Sequence, residues 1–253
     1  MGDAPRRILL AAVSLVLAGC LGAVLYALSQ PSMGLRLVPY TAQGSEVARH
    51  LRIAQSPSGG PPVGALAVRL QGPNDTVELQ AQDLIEEPDF IDSYADMDAF
   101  FARQTRLATL MAQPGLVLHW QAAPGVPTLT STLTVSARRE PGSLPLVFWF
   151  QLFAGSASLL IGAWVFALRP NDWGPRMLAA CGLAFPLSTM TAAVYSTREL
   201  AIDGTVFRWL STANHTGALM FGCGLIAIFL THPRLLVRPR WLLLLPLVFG
   251  IWQ

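Results

Sequence analysis

The chain has 253 residues, of which 53% are hydrophobic and 13% charged, with a formal net charge of +2. Every basic residue other than histidine is arginine, and the arginines flank apolar stretches instead of lining one polar face, which excludes a basic nucleic-acid surface. The three cysteines, Cys20, Cys181 and Cys223, all fall in apolar stretches, so the polar part of the chain has no disulfide framework and these thiols are expected to act as small packing groups.

Residues 1–7 carry Arg6 and Arg7 and precede a first apolar stretch, Ile8–Leu28. It contains no Asp, Glu, Lys or Arg and has the ~20 residues that a helix needs to cross a bilayer. Within it, Leu17–Cys20 reads LAGC, which resembles a lipoprotein cleavage box. The alternative is an uncleaved helix. The apolar run continues through Leu21, Val24, Leu25 and Leu28, and this favours the helix.

Residues 29–143 hold most of the polar and acidic side chains and are long enough to bury a core. Ser29–Gly64 is rich in Gly, Pro, Ser and Gln, and Gln55–Gly64 reads as a turn. Ala65–Leu70 and Thr76–Gln80 read as strands. The acidic run Glu86–Asp98 leads into a helix predicted over Met97–Gln113, capped by Asp96 or Asp98 and ended by Pro114–Gly115. Leu116–Trp120 and Thr128–Arg139 then read as an antiparallel hairpin. The expectation is a small α+β domain of about five strands and one main helix. Its strand-helix-strand-strand ending resembles a PDZ-like domain, in which a peptide adds to the sheet edge beside the helix. The groove beside Met97–Gln113 is thus a second candidate site, although a PDZ carboxylate-binding loop is not recognisable.

Three further stretches, 144–168, 177–195 and 209–230, are also long and free of charge, and 241–253 reads as a truncated fifth span. Pro186 is a kink site in the third. Gly217, Ala218, Gly222 and Gly224 give the fourth a small-residue face. Arg6 and Arg7, Arg169 and Arg176, and Arg234, Arg238 and Arg240 mark alternate connections, which places those connections and the N-terminus in the cytoplasm. Residues 29–143 and the Ser196–Arg208 connection are then extracytoplasmic. The fold class is a multi-pass α-helical membrane protein with a small α+β extracytoplasmic domain, bound by membrane lipid.

No catalytic motif, phosphate loop or metal-ligand spacing occurs, so no cofactor or metal is expected. His119 reads as a partly exposed strand residue. Asn214 and His215 lie inside the fourth span, where polar side chains face protein or water. Tyr195, Arg198 and Glu199 open the preceding connection, and the five are candidates for one signal-sensing pocket. Tyr195 and Trp209 also suit interfacial anchoring, and Asn214 and His215 also suit bonds to a neighbouring helix.

Ala192–Leu200 (AAVYSTREL), Phe207–Phe221 (FRWLSTANHTGALMF) and Phe229–Leu236 (FLTHPRLL) resemble the membrane sensor region of bacterial sensor histidine kinases of the competence and quorum-sensing type. The resemblance is best over Val147–Trp252. It implies an inner-membrane homodimer with a PDZ-like extracytoplasmic domain, a cytoplasmic kinase core that uses ATP, and a response regulator as partner. The phospho-acceptor and ATP boxes of such a core do not occur in these residues, so the chain is expected to be a fragment holding the sensory input. A non-enzymatic membrane scaffold, binding a peptide or protein through its exported domain, is the alternative.

Overall fold

The computed structural model describes residues 3–41, 50–232, 234, 236–242 and 244–251. Its helices are α1 (Asp3–Ser29), α2 (Tyr94–Met111), α3 (Leu146–Leu168), α4 (Trp173–Ser196) and α5 (Gly204–Thr231), followed by the short α6 (Pro239–Leu242) and α7 (Leu245–Ile251). The strands are β1 (Arg36–Tyr40), β2 (His50–Gln55), β3 (Leu66–Gln71), β4 (Thr76–Glu78), β5 (Val117–Gln121) and β6 (Leu129–Thr132). The chain divides into two compact units. One comprises Met1–Leu25, Pro145–Val194 and Leu210–Gln253, the other Tyr26–Leu144 and Tyr195–Trp209.

The first unit is helical. Helices α1, α3, α4 and α5 are long and apolar enough to cross a membrane, since at 1.5 Å per residue each matches a hydrocarbon core of ~30 Å. Leu10, Leu15, Leu17, Leu21 and Leu25 are exposed along α1. Small residues set the helix contacts. A β-carbon on Gly182 of α4 would lie 2.7 Å from the Ser158 carbonyl oxygen of α3, and one on Gly217 of α5 would lie 2.6 Å from the Ser188 amide of α4. Backbones that close exclude anything larger than glycine. Gly224 likewise faces Cys181, whereas among the described residues Gly222 meets nothing within 4 Å and drops out of the expected small-residue face. Cys20 lies within continuous α1, its Sγ 3.3 Å from Ser156 Oγ. The expected fifth span over 241–253 is described only in part, as α6 and α7; Leu243, Trp252 and Gln253 lie outside the described residues.

The second unit contains a six-stranded antiparallel sheet in the order β1-β2-β3-β5-β6, with β4 also paired to β3. β1 and β2 arise in the segment that reads as loop-rich. In β2, Leu51 and Ile53 are fully buried while His50 and Arg52 are exposed, the period-two alternation of a half-buried strand. The last hairpin strand is shorter than expected: among the described residues, regular pairing stops at Thr132 and only Ser136 pairs again, with Ser32.

Helix α2 begins three residues earlier than expected, and its cap is Ser93, not Asp96 or Asp98. The Ser93 side chain accepts the Asp96 N–H at 3.1 Å, satisfying one of the orphan donors of the first turn. Past the helix, Gly115 takes φ +73°, a left-handed turn that residues with a β-carbon adopt at a cost. The inner face of α2 sends Leu107, Leu110 and Met111 into one core with Leu51, Ile53, Leu70 and Leu118. Each such side chain contributes about 1.5–3 kcal/mol through burial. On its other flank, Arg103 pairs with Asp83 and Arg106 with Asp75, which fastens the helix to the chain around β4. Leu200 and Ala201, from the connection between α4 and α5, belong to the same core.

Candidate functional site

The Ser196–Arg208 segment reads from sequence as an outer connection, and it lies within Tyr195–Trp209, an integral part of the sheet-containing unit. Arg198 anchors it. The residue is 9% exposed, and its guanidinium donates to four backbone carbonyls: Leu200 at 3.2 Å, Tyr195 at 2.7 Å, Asp83 at 3.0 Å and Ile85 at 2.6 Å. Its planar, five-donor fork suits this convergence of acceptors, which an ammonium could not satisfy in the same way. Burial pushes the Arg198 pKa down to about 10, against the opposing pull of Glu86, Asp83 and Tyr195.

Asp83 is the matching hub. It is fully buried, its carboxylate accepting from Arg103 Nε at 2.5 Å, Arg103 Nη2 at 2.9 Å and the Gln80 N–H at 2.8 Å. Its carbonyl also accepts from Gln104 at 3.0 Å. A buried carboxylate tolerates desolvation only with such partners. Arg103 and Gln104 of α2, the Asp83 turn and Arg198 thus form one hydrogen-bonded network.

Aromatic packing extends it. Phe207 is fully buried, stacked on Tyr195 at 5.1 Å and edge-on to Phe100 and Phe101 at 5.6 Å each, with the Arg198 guanidinium 4.6 Å from its ring centre. Each ring pair adds about 0.5–1.5 kcal/mol beyond simple burial, and a cation over a ring in a dry site adds about 2. Tyr195 is itself fully buried, and its hydroxyl donates to the Glu87 carboxylate at 3.0 Å. It is a core ring, not the interfacial anchor its position suggests, whereas Trp209 is 71% exposed.

The start of α5 is locked to α2 beside these rings. Asp203 Oδ1 accepts the N–H groups of Thr205 and Val206 at 3.0 and 3.1 Å, an N-cap. Gly204 donates to Thr105 Oγ1 at 2.9 Å, and Arg208 pairs with Asp98.

Glu199 does something different. Its carboxylate accepts the Ser32 hydroxyl at 2.7 Å and the N–H groups of Met33 and Leu35 at 2.9 and 3.0 Å, holding the segment that follows α1. Burial raises its pKa despite these bonds and the nearby Arg139 charge. Arg139 is buried as well. It donates to the Thr197 carbonyl at 2.8 Å, and desolvation lowers its pKa while Glu199 opposes the shift.

Of the five candidates, Tyr195 and Arg198 therefore share one network, while Glu199 faces the post-α1 segment. Asn214 and His215 belong to the helical unit. There Ser188 of α4 donates to Asn214 Oδ1, and His215 Nδ1 lies 2.7 Å from the Ser211 carbonyl oxygen one turn back in α5. Reasoning from the sequence missed Asp83, Thr105, Asp203, Gly204 and Phe207. Of these, only Asp203 carries a local signal, a capping residue just before a helical run. Comparison of the chain with protein-family models, curated proteins and solved structures finds no match.

Proposed function

We propose that this chain is the membrane-embedded sensory input region of a two-component sensor histidine kinase. In this reading α1, α3, α4 and α5 cross the inner membrane with the N-terminus in the cytoplasm. The sheet-containing unit, PDZ-like in its strand-helix-strand-strand ending, is the extracytoplasmic receiver. The kinase core, its ATP and the response regulator belong to the cytoplasmic side of the parent architecture, which works as a homodimer.

The observation that carries the proposal is the incorporation of 195–209 into the receiver core. Helices α4 and α5 end and begin there, so a stimulus that shifts α2 acts directly on the first turn of α5 through Thr105, Gly204 and Phe207. Tyr195, Arg198 and Glu199 serve as the coupling residues. Asn214 and His215 are the polar groups through which the membrane helices change their packing. A two-state output needs such a bistable element, biased by differential contacts.

The test fuses residues 1–253 to a histidine kinase core and measures autophosphorylation in membranes. Arg198→Lys and Asn214→Ala are expected to shift basal output in either direction while the protein remains membrane-inserted. Output identical to the parent fusion in both variants would remove the sensor reading.

A further inference from the structure

We infer that β6 is a self-pairing edge strand and that the surface it presents takes a second copy of this chain. β6 ends the sheet order, and among the described residues only β5 flanks it. The register shows which backbone groups face outward. Leu133 donates to the Leu116 carbonyl at 2.8 Å, and Ser131 and Leu129 stand opposite Leu118 and Trp120. Antiparallel bonding alternates along a strand, so the N–H and C=O groups of Thr130 and Thr132 point away from β5.

Exposed edges in natural sheets are blunted by charge, proline or a bulge. This one is not. Gln121–Ala137 contains no Asp, Glu, Lys or Arg, and no proline lies between Thr128 and Thr134. Leu129 is 51% exposed, and Thr130 and Thr132 are exposed beside it.

The occupant follows from the sequence of the strand. Thr128–Thr134 reads Thr-Leu-Thr-Ser-Thr-Leu-Thr in both directions. A two-fold axis through Ser131 sets two copies antiparallel, with Thr130 of each copy opposite position 132 of the other and Leu129 opposite position 133. Such an isologous contact requires a patch that is its own complement. Thr130 and Thr132 then exchange their outward backbone bonds, Thr meets Thr on one face, and the exposed Leu129 gains an apolar neighbour on the other. A foreign strand would use the same backbone groups but would have no use for the palindrome. The inference stands independently of the sensor reading.

The test introduces Ser131→Cys into the full chain in membranes and oxidises it, with the unaltered chain and its native cysteines as blank. A non-hydrogen-bonded antiparallel pair sets the two α-carbons roughly 4.5 Å apart, within reach of a disulfide. The expected result is a reducible shift to twice the monomer mass. That shift is lost on adding Thr130→Pro, which deletes an outward N–H and leaves the β5 ladder intact. Thr128→Cys, six residues out of register with itself, stays monomeric. Ser131 accepts the Trp120 indole N–H at 2.9 Å, so a Thr130→Cys/Thr132→Cys double variant on the outer face repeats the test without touching that bond. The inference is overturned if the position 131 thiol stays monomeric, whether it is open to maleimide or shielded by a different strand. It is also overturned if positions 128 and 131 cross-link equally.

Discussion

Gly204, the first residue of α5, leaves no space for a β-carbon between itself and the Phe101 carbonyl oxygen of α2. Its N–H is held at the same point by Thr105 Oγ1. The two helices therefore meet backbone to backbone, with Phe207 filling the gap one turn later. Glycine is required here by the approach of two main chains, not by an unusual dihedral.

Gly204→Ala is therefore expected to force α5 away from α2 and destabilise the sheet-containing unit by about 1–3 kcal/mol, the range for overpacking a filled site. Thermal unfolding of the purified chain, with Gly222→Ala as a control at an open position, measures the difference. Equal melting of the two variants would mean that the helices are not in contact.

Arg198→Lys keeps a charge but cannot reach four carbonyls from one planar head. An ammonium has three N–H donors, so at least one of the Leu200, Tyr195, Asp83 and Ile85 carbonyls loses its donor, and a buried acceptor left unpaired costs about 1–3 kcal/mol. Proteolysis should then cut 195–209 far faster than in the parent. Arg208→Lys, on an exposed pair with Asp98, should be neutral. Resistance to cleavage in Arg198→Lys would show that the network does not hold the segment.

Glu199 gives a pH dependence of definite sign. Burial raises its folded-state pKa above the ordinary value of 4.5, so the folded chain binds this proton more tightly than the unfolded chain. Its contribution is complete below 4.5 and is lost as pH rises through the folded value. Glu199→Gln cannot titrate. The stability of the parent relative to Glu199→Gln should thus fall as the pH is raised from 4.5 through the folded-state value. Melting curves of both proteins across that range provide the measurement, and a difference that is flat or grows with pH would contradict it.

The four long helices were legible because charge-free runs of that length have few other outcomes. β3 and β5 were legible through their β-branched and apolar content. β1 and β2 were hidden because Gly, Pro and Ser around them dominate the local composition, although Leu51 and Ile53 already alternate with His50 and Arg52. Position alone singled out Tyr195, Arg198 and Glu199. What they do was not legible, because Arg198 bonds to Asp83 across 115 positions and Glu199 to Ser32 across 167. No local period encodes such a separation. The packing of the 196–208 connection into the sheet-containing unit was hidden for the same reason: Leu200 and Ala201 look like any short apolar pair until the sheet that buries them is assembled.

Sidedness is the claim on which the sensor account rests, and labelling with a membrane-impermeant maleimide in intact cells tests it most directly. Thr109 and Thr205 are exposed in the sheet-containing unit, and Asn171 is exposed between α3 and α4. Cysteine at 109 or 205 should label from outside the cell, while cysteine at 171 should label only after permeabilisation. The reverse pattern, with 171 reactive from outside and 109 and 205 protected, would contradict the account.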